Sequence, residues 1–574
     1  MSDTVVTPGA KETTATGARE GKAISRRARA VRESALAYLF LLPAFLIIFT
    51  FGIFPLAFSA YESTLRGLNR IVGTYDGIGN YVRAVGDLAY VLGFWLAIVF
   101  LYLAIREMVG LLREARLHSE NPWPIGIAGI VMGAAFALFL RFFFIFLPHL
   151  LGIADHMRAA QQQGETDTGA LFRRFLGEAF GLPEVSGPFF VALAVLLVGA
   201  LLTTFVIRSR PYSPRTSRYF GGFFQFTVLT LAALFLAWFT WTAVRDAYAA
   251  ALEDGEELAL WSQIVTISAG LVLLALSWFL WRSANQRDNN LSMLWRLGAA
   301  AMLMIGAWLL IGEVPRAAAS GDDDWWYGLL VTVYYSAGSI PFQFAISLML
   351  ASFLFQNIKG QSFFRMIYFL PYITPTVGAA AVFRVIFSAR SSAPMNSLLD
   401  LLGMQPLGWL NEPTGIFQLI AGSSVTLPTW AAGPSLSMVV IIIFGIWSYV
   451  GFNTVIFLAG LGAIPSSLYE AASIDGAGRW AQFRHVTLPL LSPTIYFLTL
   501  YAVIGTFKAF NHIYVLRSPA ALGTADTVSV VIFDAMKRDT RYGYAAALAI
   551  LLLIIVMGLT VINNRIASKR VFYG

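Results

Sequence analysis

The amino-acid sequence predicts an all-α protein, a polytopic transmembrane helix bundle of about twelve helices, and three observations lead to this fold class. Hydrophobic residues make up 57% of the 574 residues and charged residues only 13%, which leaves more apolar surface than a soluble domain can bury. Apolar runs of about 20 residues, the length that crosses a bilayer, recur along the chain. The loops between these runs alternate in charge, as the loops of membrane proteins do.

Twelve runs have the length and composition of a membrane span. They lie at residues 36–60, 88–105, 124–148, 187–207, 220–244, 261–282, 296–312, 327–355, 363–388, 435–461, 490–511 and 543–564. The segment before them, 1–35, is polar and ends in a basic stretch, so we expect a disordered basic tail at the cytoplasmic membrane surface. The first run is too long for the apolar part of a cleaved signal peptide.

Basic residues predict the orientation of the spans, because Lys and Arg collect in cytoplasmic loops. The loops that a cytoplasmic N-terminus places inside carry Arg106, Arg113, Arg116, Arg479 and Arg484. The acidic stretch 322–324 then falls outside, and the C-terminus is cytoplasmic.

Composition argues against several kinds of chemistry. The net charge of +8 is explained by basic cytoplasmic loops, so we expect no nucleic-acid partner. The chain has no Cys and only five scattered His residues, so we predict no metal site. It lacks the Gly-x-x-x-x-Gly-Lys-Ser/Thr loop that cradles phosphates, so we expect no ATP or other cofactor on this chain itself.

One informative polar segment, 463–489, separates two long apolar runs. Ser467 stands three residues before a glutamate, the spacing of a capping box, and predicts a helix that begins just after Pro465. Gly476 predicts the end of that helix, because glycine accepts the left-handed conformation. A second short helix is predicted at 479–486. Small side chains between the two helices would let another protein approach the backbone closely, so we interpret the segment as a docking loop.

The loop matches a longer pattern. Glu-Ala-Ala, three residues, Gly, nine residues, an aliphatic residue, one residue and Leu-Pro run from Glu470 to Pro489, with Val486 where Ile is usual. The pattern resembles the cytoplasmic loop of permease subunits of bacterial ATP-binding-cassette importers, and implies that an ATPase docks here. The residues expected to make this contact are Glu470, Ala471, Ala472, Asp475, Gly476 and Ala477.

Further motifs are similar to carbohydrate-type permeases, with the maltose-type family the nearest. They lie at 41–43, 54–55, 77–85, 360–365, 369–375, 409–413, 459–465 and 543–547. The resemblance implies a core of six helices, made of a first helix with its outer segment and a C-terminal permease domain. The predicted division is a tail 1–35, a first core part 36–86, an inserted region 87–325 and a core domain 326–574.

The inserted region departs from the family, whose core does not need its six predicted helices. An even number of crossings returns the chain to the outer side, so the insertion leaves the orientation of the core unchanged. We interpret it as a membrane-embedded flank that packs on the core or on lipid.

The resemblance also implies a complex. Its other members would be a second permease subunit, two ATP-binding-cassette ATPase subunits that bind ATP and Mg, and an extracytoplasmic solute-binding protein. This chain would then be a transport subunit and not an enzyme, multi-pass in a bacterial cytoplasmic (inner) membrane. It would import a sugar or oligosaccharide by alternating access.

Alignment on the family motifs predicts a solute site. The positions that match the family's substrate contacts are Tyr372, Thr376, Gly445, Ser448, Tyr449, Lys508, Ala509 and His512. Aromatic faces, hydroxyls and an imidazole suit a polyol. Lys508 departs from the family, which has an aromatic residue there: it either lines the solute pathway or extends its ammonium to the outer interface.

Two other classes of function are alternatives. An ion-coupled secondary transporter would place acidic residues within spans, and none stands out in the sequence. A polytopic membrane glycosyltransferase would need loop carboxylates, and the one tempting cluster, 322–324, is interpreted as a solvated outer loop.

Overall fold

The computed structural model describes residues 26–67, 73–209, 215–255, 258–284, 290–356, 359–422, 425–428 and 430–570. The chain divides into two units, Met1–Phe58 and Ser59–Gly574. Helices hold 82% of the described residues, which confirms the predicted all-α class. A helix is expected wherever the chain crosses lipid, because it satisfies every backbone polar group internally.

The first unit contains α1, Arg26–Ile48, and a π-helical turn, Phe49–Ile53. α2, Phe54–Glu62, continues from it into the second unit. The expectation of a disordered tail is wrong for residues 26–35, which form the start of α1; this Ala- and Arg-rich stretch favours helix. The rest of the predicted tail, 1–25, lies outside the described residues.

Ten helices in the described part of the chain are long and apolar enough to span a membrane, and two bent helix pairs raise the number to as many as twelve. Each of the twelve predicted runs overlaps one of them. The first pair, Gln361–Ile373 and Thr376–Ile386, bends by 93°, and the second, Arg479–Leu490 and Ser492–Phe507, by 62°. Pro375 directly precedes the second half of the first pair, where its missing N–H interrupts the helix.

A short segment connects α2 to the predicted insertion. It contains β1 Leu65–Arg66, antiparallel to β2 Thr74–Tyr75, and then α3 Gly79–Val85. The helices that follow are α4 Leu88–Leu117, α5 Trp123–Gln162, α6 Thr168–Gly181, α7 Pro183–Ser209, α8 Thr216–Asp254, α9 Leu260–Ala284, α10 Asn290–Ile311 and α11 Val314–Ala319.

The remaining helices form the predicted core domain. They are α12 Asp323–Leu354, α13 Gln361–Ile373, α14 Thr376–Ile386, α15 Pro394–Leu401, α16 Ile416–Ala421, α17 Leu436–Gly462, α18 Ser466–Ile474, α19 Arg479–Gln482, α20 Leu488–Leu490, α21 Ser492–Phe507, α22 Asn511–Leu516, α23 Val528–Lys537 and α24 Tyr542–Arg570. Short 3-10 turns occur at Trp409–Asn411 and Pro519–Ala521.

The predicted insertion leaves and rejoins the predicted core at neighbouring points. The backbone N–H of Asp87 donates to Ser320 Oγ at 3.2 Å, and that of Asp322 donates to the Ala84 carbonyl at 3.2 Å. The Asp322 carboxylate also caps α12 by accepting from the Asp324 N–H at 2.9 Å. The predicted boundary at 325 therefore falls inside a helix, since α12 begins at Asp323.

Polar side chains on one face of α12 are buried against the other core helices. Ser336 donates to Thr506 Oγ1 of α21 at 2.5 Å, and Gln343 donates to the Gly445 carbonyl of α17 at 3.3 Å. Hydrogen bonds are directional, so they fix the relative orientation of two membrane helices more closely than apolar packing does. They hold α12, α17 and α21 in a defined arrangement around the predicted solute site.

Candidate docking loop and solute site

The segment 463–489 forms the helix, turn and second helix that the sequence predicts, and we call this feature the elbow. α18 ends at Ile474, and Gly476 follows with a left-handed φ of +79°. α19 then begins at Arg479 and continues through a π-helical turn, Phe483–Thr487, into α20. The predicted capping box is wrong, because the N-cap is Pro465, which has no side-chain oxygen that could accept a hydrogen bond.

The six predicted docking residues occupy the second half of α18 and the turn that follows it. Glu470, Ala471, Asp475 and Gly476 are exposed, and Ala472 and Ala477 are half-buried. A Cβ built on Gly476 would meet no atom within 4 Å in the described part of the chain. The backbone at Gly476 is therefore open to a partner, as the small side chains around it suggested.

Two exposed apolar side chains flank the tip and were missed by sequence reasoning. Ile474 is 87% exposed and Trp480 is 71% exposed. Trp480 stacks on Phe483, with ring centroids 5.6 Å apart. An isolated exposed Trp on a polar loop is typical of an interface residue, and this was the available signal in the sequence.

Hydrogen bonds hold the two arms of the elbow together. The hydroxyls of Tyr469 and Thr487 lie 3.0 Å apart, which joins α18 to the end of the π-helical turn. The Gln482 amide donates to the Ala477 carbonyl at 3.0 Å and to Ser473 Oγ at 2.9 Å. The tip is thus exposed, and hydrogen bonds fix its two arms to each other. A movement of α18 can therefore be transmitted to α20 and α21.

The predicted solute residues fall into two groups, of which the first is aromatic. Tyr372, at the end of α13, stacks on Phe452 of α17 with centroids 4.8 Å apart, and lies 6.0 Å from Tyr449. Phe452 lies 5.2 Å from Tyr501 of α21. Tyr372 is 37% exposed and Tyr501 is 40% exposed. Three helices therefore build one aromatic surface, to which Phe452 and Tyr501 are additions that the sequence did not predict.

The second group is buried around a tyrosine that was not predicted either. His512 is 6% exposed; its Nε2 lies 2.9 Å from the Tyr335 hydroxyl, and its ring stacks on Phe444 with centroids 5.1 Å apart. A Cβ built on Gly445 would come within 2.6 Å of the same hydroxyl. Tyr335 thus covers both Gly445 and His512, and in this conformation neither is open to a solute.

The remaining four predicted residues are dispersed around these groups. Thr376 is exposed at the start of α14, directly after the 93° bend. Ser448 is half-buried, and Ala509 packs against the core cluster that contains Tyr335. α21 ends at Phe507, one residue before Lys508, whose side chain is exposed.

Arg517, which lies outside the spans, is paired with two carboxylates. Arg517 donates to the Asp534 carboxylate at 2.7 Å and lies 3.7 Å from Asp526. Burial raises the pKa of Asp526 above its ordinary value, against the opposing effect of Arg517. Among the described residues, no group of three or more His, Cys, Asp or Glu side chains could hold a metal ion.

Comparison with known proteins identifies the family. Residues 343–571 match the family of binding-protein-dependent transport system inner membrane components. The trehalose/maltose transport system permease protein MalF of Thermococcus litoralis is 30% identical over 247 residues, which are 43% of this chain and 76% of that protein. The chain belongs to this family.

One further permease and one solved structure are also similar to this chain. The arabinooligosaccharides transport system permease protein AraP of Bacillus subtilis is 32% identical over 272 residues, 46% of this chain and 79% of that protein. A chain in the crystal structure of a bacterial alginate ABC transporter is 24% identical, over 43% of this chain and 80% of that one, with a TM-score of 0.37.

Membership in this permease family makes the chain a multi-pass transport subunit that works with a binding protein and an ATPase. Family membership favours an importer permease over an ion-coupled secondary transporter and over a membrane glycosyltransferase. The helices between 88 and 319 lie before the family match, which begins at residue 343.

Proposed function

We propose that this chain is the membrane-spanning subunit of an ATP-driven importer that moves a sugar or oligosaccharide from an extracytoplasmic binding protein into the cytoplasm. The observation that carries the proposal is the braced, exposed elbow around Gly476, whose backbone is open and left-handed. Its shape suits insertion into a groove on an ATPase, with Ile474 and Trp480 as apolar contacts beside the tip.

The substrate class is inferred from the relatives and from the aromatic surface. The names of the two permeases compared above assign them trehalose or maltose and arabinooligosaccharides. The rings of Tyr372, Tyr449, Phe452 and Tyr501 offer faces for sugar rings, and the three tyrosines add hydroxyls. Rings and hydroxyls together fit a polyol better than a peptide or an ion.

The proposed complex contains a second permease subunit and two ATPase subunits, which bind ATP and Mg. The chain itself holds no cofactor. It lies in the bacterial inner membrane with both termini in the cytoplasm. In this orientation the elbow, which carries Arg479 and Arg484, is also cytoplasmic, on the side where the ATPase binds.

The geometry suggests how alternating access is driven. Closure of the ATPase pair moves α18, and the hydrogen bonds of Tyr469 and Gln482 transmit this movement to the second arm. That arm meets α21 at a 62° bend, and α21 carries Tyr501 and ends beside Lys508. A shift of α21 changes the aromatic surface that it shares with α13 and α17, so the site opens to one side at a time.

The proposal assigns ATP hydrolysis to partners, and this can be measured directly. The purified chain alone should hydrolyse no ATP, because it lacks a phosphate-binding loop, whereas the complex co-expressed with its ATPase and second permease should hydrolyse ATP faster when its loaded binding protein is added. Turnover by the single chain that withstands further purification would contradict the proposal.

A further inference from the structure

One face of α4 is apolar and exposed over the middle of the helix. Ile98, Tyr102, Ile105 and Val109 are between 40% and 61% exposed. Successive residues of an α-helix are rotated by about 100°, so these four side chains fall within an arc of about 60°. A narrow exposed apolar stripe on a membrane span is the surface that lipid chains contact.

The same face becomes basic toward the end of α4. Arg106, Arg113 and Arg116 are exposed, and by the same rotation they extend the arc to only about 100° in all. Side chains on a helix tilt toward its N-terminus, which here means back toward the apolar stripe. Within the described residues, the three guanidinium groups have no ion-pair partner.

The acidic residues of α4 lie on the opposite face and are already paired. Arg218 of α8 lies 2.5 Å from the Glu107 carboxylate and 3.7 Å from that of Glu114. Just beyond α4, the Glu120 carboxylate contacts Arg215 at 3.3 Å and accepts from the Tyr219 hydroxyl at 2.8 Å. Charge is therefore sorted by face, and the exposed side of this helix end is left purely basic.

We propose that this face of α4 binds anionic phospholipids, with acyl chains along the Ile98–Val109 stripe and headgroup phosphates on Arg106, Arg113 and Arg116. Guanidinium groups match phosphate oxygens with paired hydrogen bonds. A phospholipid fits better than an acidic protein, because the arginines continue an apolar stripe that a soluble partner would leave uncovered.

Lipid retention by the full-length chain tests the site. The chain is reconstituted in nanodiscs of phosphatidylcholine with a minor share of phosphatidylglycerol, released, and its bound lipids are counted by native mass spectrometry. The Arg106→Gln/Arg113→Gln/Arg116→Gln variant should retain at least about tenfold less phosphatidylglycerol, because each basic residue at a membrane surface adds to the attraction of anionic lipid. Retained phosphatidylcholine should not change.

A matched variant controls for net charge. Arg158→Gln/Arg245→Gln/Arg316→Gln removes three arginines whose side chains are 70% to 78% exposed, and it should retain phosphatidylglycerol like the unmodified chain. Each single substitution at Arg113 or Arg116 should give a smaller loss, which keeps the test valid if the triple variant misfolds.

Three results would overturn the proposal. They are equal phosphatidylglycerol retention by the unmodified chain and the α4 variant, an equal loss in the control variant, and complete displacement of the lipid by inorganic phosphate. Loss of a co-purifying protein with unchanged lipid would assign the face to a protein partner instead.

Discussion

At the scale of single residues, Lys508 is the least explained member of the predicted solute site. It follows the last residue of α21, and its side chain is exposed. An ammonium at the end of a span can face a solute pathway or extend to the interface, and the two possibilities differ in what its removal does.

Lys508→Met keeps the length of the side chain and deletes the charge. We expect impaired solute uptake in proteoliposomes, because the solute loses a hydrogen-bond donor, while ATP hydrolysis stimulated by the empty binding protein survives. Tyr372→Ala, which removes a ring from the aromatic surface, is the companion variant. Unchanged uptake in Lys508→Met with impaired uptake in Tyr372→Ala would show that Lys508 extends to the interface and does not line the solute pathway.

The residue scale also shows where prediction from sequence fails. Alignment on motifs assigned Tyr372 and Tyr449 to one predicted site, and their rings lie 6.0 Å apart in the structure. The burial of His512 could not be foreseen, since its partner Tyr335 lies 177 residues away in the chain. Long-range contacts of this kind leave no periodicity or spacing in the sequence.

At the scale of helices, hydropathy predicted the spans well because lipid imposes one requirement on every segment. It did not predict that two of the spans are bent pairs. Pro375, which precedes the second half of the first pair, was a usable signal for a break. A mean hydropathy over the whole run does not detect such a break.

Close approach of α13 to α17 depends on one glycine. A Cβ built on Gly451 would lie 1.7 Å from the Tyr368 carbonyl oxygen, so backbone would have to move. Gly451→Ala should lower the thermal unfolding temperature of the detergent-solubilised chain, with a free-energy cost of about 1–3 kcal/mol from overpacking.

Gly462→Ala is the control on the same helix. Its Cβ would meet no described atom within 4 Å, so the variant should be neutral or gain up to about 1 kcal/mol, since Ala favours helix over Gly. Equal unfolding temperatures for the two variants would show that α13 does not rest on α17 at Gly451.

At the scale of the whole molecule, the predicted inserted helices are the main expected departure from the family. Their function could not be read from the sequence, because the motifs lie on either side of them. The structure adds that the two ends of the insertion meet, with the Asp87 N–H and Ser320 Oγ 3.2 Å apart. A short linker can therefore replace residues 88–319 without stretching the core.

We predict that a chain in which a short Gly-Ser linker replaces residues 88–319 still assembles with its ATPase and transports solute. Ser320 and Asp322 are kept, because Asp322 caps α12. Co-purification with the tagged ATPase checks assembly, and uptake checks transport. Loss of solute binding in a folded, assembled deletion would give the insertion a direct part in transport.

We propose that the elbow around Gly476 couples a partner ATPase to transport. The most direct test of this coupling compares solute uptake and ATP hydrolysis in reconstituted complexes that carry Gly476→Trp or Gly476→Asn. Both variants should fold, since the site is open, and the left-handed φ costs a non-glycine residue about 1–2 kcal/mol, with Asn the better tolerated.

We expect Gly476→Trp to abolish uptake and stimulated hydrolysis, because its indole blocks the approach of the ATPase, and Gly476→Asn to keep most of both. Normal uptake with normal stimulated hydrolysis in Gly476→Trp would contradict the account.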